Sequence, residues 1–185
     1  MRIIAGMARG RTFDAPQGLD TRPTLDRVRE NVFNILQMKV RQAQVLDLFS
    51  GSGAMAFEAI SRGAAGAVLV DCDHAANAVE RRNAEKLQMA EKCRILQCDW
   101  QEAVRRLTAE GVRFDVVFLD PPYRMHDMTG VFAALRPLLA GDAVLLLEHE
   151  AKIFPATGDG FDLYDSRKYG VAGVSFFRQT VGEVE

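Results

Sequence analysis

From residue 44 onward, short apolar runs alternate with amphipathic stretches in a regular order of strand and helix. Residues 45–49, 67–70, 94–97, 114–119 and 143–147 predict five strands. Residues 54–60, 75–87, the stretch ending at Leu107, and 131–139 predict helices between them. Near-continuous apolar strands separated by helices indicate a parallel sheet covered on both faces. The tail changes period: residues 161–164 and 174–178 alternate and flank Tyr169-Gly170, which predicts an antiparallel pair closing the sheet's edge. Ahead of residue 44, Gly6, Gly10 and Pro16 punctuate a weak alternation that fits a short hairpin or extended arm. Pro23-Thr24 then opens a helical pattern with Leu25, Val28, Val32, Phe33, Ile35 and Leu36 on one face and Arg27 and Glu30 off it. The expected fold is α/β, with a seven-stranded, mostly parallel sheet that contains one antiparallel strand. Residues 1–41 form an arm and helix, and residues 42–185 the main domain.

Composition adds limits. With 185 residues, 48% hydrophobic and 26% charged, the chain has enough material for one sizeable core. No apolar run has the length of a membrane span, and the N-terminus lacks the apolar stretch of a signal peptide, so a cytoplasmic protein is expected. Cys72, Cys93 and Cys98 form no CxxC pair, and His74, His126 and His149 are scattered, so neither a disulfide framework nor a metal is expected. The net charge of −2 is unevenly spread: residues 1–41 hold eight Lys/Arg against four acids, leaving fifteen basic and twenty-one acidic residues beyond. Such asymmetry suggests a basic arm that meets phosphate, with Arg9, Arg11, Arg22, Arg27 and Arg29 as its candidate contacts.

In open α/β sheets, ligands sit at the carboxyl ends of the strands. Four of the predicted strand ends are glycine-rich or acidic: Gly51/Gly53, Asp71, Asp99 and Asp120. A single acid there is more often a helix N-cap than a ligand contact, an explanation that weakens when several occur together. Gly51-Ser52-Gly53-Ala54-Met55-Ala56, with Asp71 twenty residues beyond Gly51, also matches a dinucleotide-binding fingerprint, so on this pattern alone an oxidoreductase and a methyltransferase are equally served. Three features separate them. Asp47 would repel a pyrophosphate but suits a zwitterionic, sulfonium-bearing amino acid. Asp99 is placed to accept from an adenine amino group. Asp120-Pro121-Pro122-Tyr123 has no role in hydride transfer.

In that tetrapeptide two prolines fix the backbone and remove two N–H donors, so the loop presents mainly acceptors, the Asp120 carboxylate and the Pro121 carbonyl. An exocyclic base amine is a poor nucleophile because its lone pair is delocalised into the ring. Acceptors that grip its protons favour attack on a methyl carbon, and Tyr123 offers a ring for the base to stack on.

Asp47-x-Phe49-x-Gly51-x-Gly53 together with Asp120-Pro121-Pro122-Tyr123 resembles the Rossmann-like methyltransferases of base amino nitrogens. Arg2-Ile3-Ile4-Ala5-Gly6, Arg9-Gly10-Arg11, Thr21-Arg22-Pro23-Thr24, Asp26-Arg27-Val28-Arg29-Glu30 with Phe33-Asn34, and Lys168-Tyr169-Gly170 resemble the RsmD-type bacterial 16S ribosomal RNA guanine-N2 methyltransferases. The likeness covers nearly the whole chain. It implies S-adenosylmethionine as cofactor, and ribosomal RNA or the assembling small subunit as partner. It further implies that Asp47, Phe49, Gly51 and Gly53 contact the cofactor's methionine end, Asp71 the ribose hydroxyls, Asp99 the adenine amine, and Asp120 to Tyr123 the target guanine. Members of that family often carry Glu in place of Asp71 and Phe in place of Tyr123. Cys72 and Trp100 are placed to line the adenine pocket, although core packing serves Trp100 equally. An adenine-N6 or cytosine-N4 methyltransferase uses the same tetrapeptide and is the nearest alternative.

Overall fold

The structure, a computed structural model, describes residues 1–15, 23–122 and 124–180. Seven strands, β1 (Gln44–Leu48), β2 (Gly66–Asp71), β3 (Cys93–Gln97), β4 (Phe114–Leu119), β5 (Leu139–Glu150), β6 (Phe161–Tyr169) and β7 (Ala172–Gln179), form one sheet in the order β3-β2-β1-β4-β5-β7-β6. Strands β1 to β5 pair in parallel, while β7 pairs antiparallel with both β5 and β6, so β7 alone opposes the others. The five apolar runs and the alternating tail therefore become the expected mixed sheet. β5 exceeds its apolar run at both ends, since β4 pairs it from Leu139, opposite Phe114, and β7 holds it as far as Glu150, opposite Ala172.

Among the described residues six α-helices accompany the strands: α1 (Pro23–Ile35), α2 (Gln37–Val40), α3 (Ala54–Ser61), α4 (His74–Lys86), α5 (Trp100–Ala109) and α6 (Thr129–Leu135). Alternation along the strands divides the interior into two cores. Val45, Leu69, Phe118, Val144 and Leu146 pack on one face with Phe33 of α1 and Phe57 of α3. Leu46, Leu48, Val117, Leu119, Leu145 and Leu147 pack on the other with Leu107 of α5 and Phe132 of α6. Val28, Val32, Phe33 and Leu36 are buried as the helical pattern requires. Ile35 departs from it: at the last residue of α1 it is 38% exposed, since the chain turns into α2 before its face meets the core.

The arm is stitched to α3 by its backbone. Glu58, completely buried, accepts from the N–H groups of Ile4 at 2.8 Å and Ala5 at 3.0 Å. Ser61 Oγ donates to Ala5 O at 2.6 Å and accepts from Ala8 N at 3.0 Å. Gly6 has φ 84°, and a Cβ there would stand 1.8 Å from Ser61 O, so only glycine allows this contact. Ile3, Ala8 and Phe13 join the same core as Phe33 and Phe57. One antiparallel bridge, Arg2 to Thr12, gives the arm its hairpin shape.

Candidate active site

β1 passes into α3 through a loop held in unusual backbone geometry. Phe49, Gly51 and Gly53 have φ values of 74°, 55° and 75°. A left-handed conformation is costly for a bulky residue and persists only where its surroundings enforce it. Here the N–H groups of Phe49 and Ser50 both donate to Val70 O at 3.0 Å. A Cβ on Gly53 would lie 2.6 Å from the Phe57 ring and 2.7 Å from Leu69, whereas at Gly51 it would meet open space. The backbone at Gly51 is thus approachable by a ligand. Gly53 offers α3 no capping side chain; Asp47 Oδ2 instead accepts from Ala56 N at 3.1 Å. Burial drives the Asp47 carboxyl well above the usual carboxylate range; the Ala56 N–H opposes this, and Glu80, Asp120 and Asp71 add to it.

Asp71 ends β2 and binds the same loop, accepting from Gly51 N through Oδ2 and from Asp73 N through Oδ1, both at 2.9 Å. Asp73 caps α4 by accepting from Ala75 N at 2.8 Å. Asp99 caps α5, its Oδ1 accepting from Glu102 N at 2.7 Å. Capping thus engages one oxygen of Asp99, and Oδ2 has no partner among the described residues. Trp100 begins α5 and packs against the core on the α5 side, while Cys72 is exposed.

Two acids near the carboxyl ends of the strands escaped the sequence reading, Glu80, which is buried, and Glu148, which is half-buried. Glu80 of α4 is completely buried and accepts from Ser50 Oγ at 2.5 Å, with Oε2 unpartnered. Burial pushes its carboxyl up to about 7, opposed by the Ser50 bond. Its helical spacing from Ala76, Ala84 and Leu87 put a polar residue on an apolar face, and that was the available signal. Glu148 lies at the carboxyl end of β5, where the rule used for the other four strand ends also applies.

Beyond β4, Asp120, Pro121 and Pro122 line a cleft whose other wall includes Glu148, His149 and Ile153. Asp120 is exposed as a residue, yet the protein packed around its carboxyl pushes it up to about 6. Tyr123 lies outside the described residues. None of Asp47, Asp71, Asp99, Asp120, Glu80 and Glu148 has a cationic partner among the ion pairs of the described residues. A rim this acidic suits a cationic ligand rich in hydrogen-bond donors and opposes a pyrophosphate.

The candidate arginines separate. Arg9, Arg11 and Arg27 are exposed, and Arg22 lies outside the described residues. Arg29 departs from the expectation of a surface phosphate contact. It is 5% exposed, donates to Arg2 O at 2.5 Å and Asp26 Oδ1 at 3.1 Å, and stands 3.9 Å from Glu58. A buried carboxylate needed a countercharge, and Arg29 supplies it together with Arg62, 2.7 Å from Glu58. Arg11 donates to Leu87 O at the C-terminal end of α4, and Met7 N donates to Ser61 O at the end of α3. Both helices start at the cleft's edge of the sheet, so the turn carrying Arg9 and Arg11 sits at the opposite edge, about 12–20 Å away at a rise of 1.5 Å per residue.

The family model described as "Conserved hypothetical protein 95" matches residues 1–178. The "Ribosomal RNA small subunit methyltransferase D" of Escherichia coli strain K12 is 35% identical over 187 residues, spanning 99% of this chain and 92% of its own. The YlbH protein of Bacillus subtilis strain 168 is 30% identical over 182 residues, spanning 97% and 99%. The solved structure of yhhF from Escherichia coli superposes with a TM-score of 0.85 at 31% identity, covering 97% of each chain.

Proposed function

This chain belongs to the family described as "Conserved hypothetical protein 95", the RsmD-type family, and from that premise we propose that it methylates the exocyclic N2 of a guanine in small-subunit ribosomal RNA with S-adenosylmethionine. The relative from Escherichia coli carries the name of a small-subunit ribosomal RNA methyltransferase, which supports that substrate class. The observation that carries the reading is the shared edge of the sheet, where the open loop at Gly51 and the acceptor-rich Asp120-Pro121-Pro122 cleft follow neighbouring strands β1 and β4.

The residues fit the cofactor by their chemistry. S-adenosylmethionine supplies an electrophilic methyl on a sulfonium, a positive charge that the acids at these strand ends attract. We assign Asp47, Phe49, Gly51 and Gly53 to its amino-acid end, Asp71 to its ribose hydroxyls and Asp99 to its adenine amine. Asp71 has committed one acceptor direction per oxygen to the loop, which leaves a second on each for ribose. Asp99 keeps Oδ2 for an amine. On the other side, the Asp120 carboxylate and the Pro121 carbonyl accept the two protons of the target amine and turn its lone pair toward the methyl carbon. Transfer would break the methyl–sulfur bond, whose electron pair leaves with the neutral thioether, as the N–C bond forms; the nitrogen, then cationic, loses one proton, for which the Asp120 carboxylate is the adjacent acceptor. Tyr123 follows in sequence as the stacking ring. The exposed Arg9, Arg11 and Arg27, with Arg22, widen the phosphate footprint around the body formed by residues 42–185 rather than hold the base.

The test is transfer of labelled methyl from S-adenosylmethionine to small ribosomal subunits, or to their RNA, from cells lacking this gene. Nucleoside analysis should return N2-methylguanosine at one site. Label in N6-methyladenosine or N4-methylcytidine would assign the tetrapeptide to the other amines.

A further inference from the structure

The register of β4 and β5 sets Leu119 opposite Leu147, so Asp120, the first residue beyond β4, stands beside Glu148, which β5 carries on within the sheet opposite Val174 of β7. Alternation puts both on the face of Phe118 and Leu146, and both line the one cleft. No cation answers them among the described residues. His149, which lines the cleft, is engaged elsewhere, with Nδ1 2.8 Å from Glu150 O and 2.9 Å from Ile153 O, and Nε2 2.9 Å from Ser175 Oγ. His126 and Glu150 are the remaining titratable groups that line the cleft. Adjacent carboxylates without a countercharge do not both ionise; they share a proton.

We propose that Glu148 is the residue that selects guanine: as a neutral acid it donates its O–H to the Asp120 carboxylate and offers its carbonyl oxygen to the ring N1–H beside the target amine. This rests on the guanine-N2 reading above. Among base amines, only that of guanine is flanked by a ring N–H; those of adenine and cytosine are flanked by ring nitrogens that accept. An acceptor at this position therefore complements guanine and leaves adenine and cytosine facing an unpaired lone pair. The Asp120 carboxylate, oriented by the Glu148 O–H, remains free to take the amine protons. The directions of titration agree. Burial and the charge of Asp120 push Glu148 up to about 8, and burial pushes Asp120 up to about 6, so the two titrate as one unit that holds a shared proton at neutral pH.

The experiment follows methyl transfer to small subunits from pH 5 to 9 for the wild type, Glu148→Gln and Glu148→Ala. Glutamine keeps a donor for Asp120 and an acceptor for N1–H but cannot ionise. The wild type should lose rate below about 6, as Asp120 protonates, and above about 8, as Glu148 ionises. Glu148→Gln should keep more of the rate at pH 7 than Glu148→Ala and should lose the alkaline fall. Glu148→Ala should drop by roughly tenfold or more, the loss expected when a substrate N–H is left unpaired, with unchanged S-adenosylmethionine affinity by calorimetry. A small-subunit RNA carrying 2-aminopurine at the methylated position keeps the amine and lacks N1–H. The wild type should reject it relative to guanine, and Glu148→Ala should level the two. An alkaline fall that persists in Glu148→Gln, or undiminished discrimination in Glu148→Ala, overturns the proposal while leaving the guanine-N2 reading intact. A wild type that forms no N2-methylguanosine overturns both.

Discussion

Gly51 and Asp71 are joined across the carboxyl edge of the sheet: the glycine N–H donates to Asp71 Oδ2 at 2.9 Å, so the end of β2 fixes the loop that follows β1. The carboxylate assigned to the ribose hydroxyls also organises the loop beside them, and the two roles are coupled.

Asp71→Ala should therefore do more than remove a ligand contact. It deletes acceptors for Gly51 N and Asp73 N, each bond worth about 1 kcal/mol, and should lower both the unfolding free energy and the S-adenosylmethionine affinity. Asp99→Ala should weaken binding comparably while costing about 1 kcal/mol of stability as a lost cap. Urea unfolding and calorimetry measure the two effects; undiminished affinity in both variants contradicts the assignment.

Asp120→Asn replaces an anion by a neutral amide of equal size in the cleft. Methyl transfer should fall by about two orders of magnitude or more, since an acceptor for the amine's protons is lost at the reacting centre. S-adenosylmethionine affinity should stay within a small factor. Single-turnover rates beside equilibrium binding separate the cases, and near-normal turnover would remove Asp120 from the mechanism.

Glu80 makes stability depend on pH. Burial raises its carboxyl from the ordinary glutamate value of 4.5 to about 7 in the folded protein, so the folded state holds the proton more tightly than the unfolded one. Its contribution is intact below about 4.5, declines as pH rises toward 7, and is fully lost above that. Glu80→Gln keeps a partner for Ser50 and cannot ionise. It should raise stability at pH 8 by about 2–3 kcal/mol relative to the wild type, with little change at pH 4.5. Chemical denaturation at the two pH values tests this, and an equal effect at both contradicts it.

The arginines of the arm should divide by exposure. Arg9→Ala and Arg27→Ala should each reduce the slope of log RNA affinity against log salt by roughly one, without loss of fold. Arg29→Ala should instead destabilise the protein by about 3–5 kcal/mol, because it strips a buried acid of one of its countercharges. Salt titrations and thermal unfolding of the three variants distinguish the roles; a folded Arg29→Ala with a flattened salt slope would reverse the division.

The strands themselves were legible because strand burial writes itself into local sequence: 116–119 and 143–147 are apolar on both faces since helices cover both. The glycine loop and the acid-rich strand ends were equally local. Arg29 was misread because its partner Glu58 lies 29 residues away in sequence, and a buried ion pair resembles two surface charges until the chain is folded. Glu80 and Glu148 were missed for related reasons. The first meets Ser50 from another element, and the second stands beside Asp120 only through the register of two strands separated by a helix.

The placement of β7 between β5 and β6 has a temporal consequence for a chain made from its N-terminus. β6 emerges from the ribosome before the strand to which it must bond, and until residues 172–179 follow, the long edge of β5 has no partner from this part of the chain. The first five strands can order themselves as they are synthesised. The last two must arrive as a hairpin, turned at Gly170-Val171, and dock together onto an edge that would otherwise invite pairing with another nascent chain.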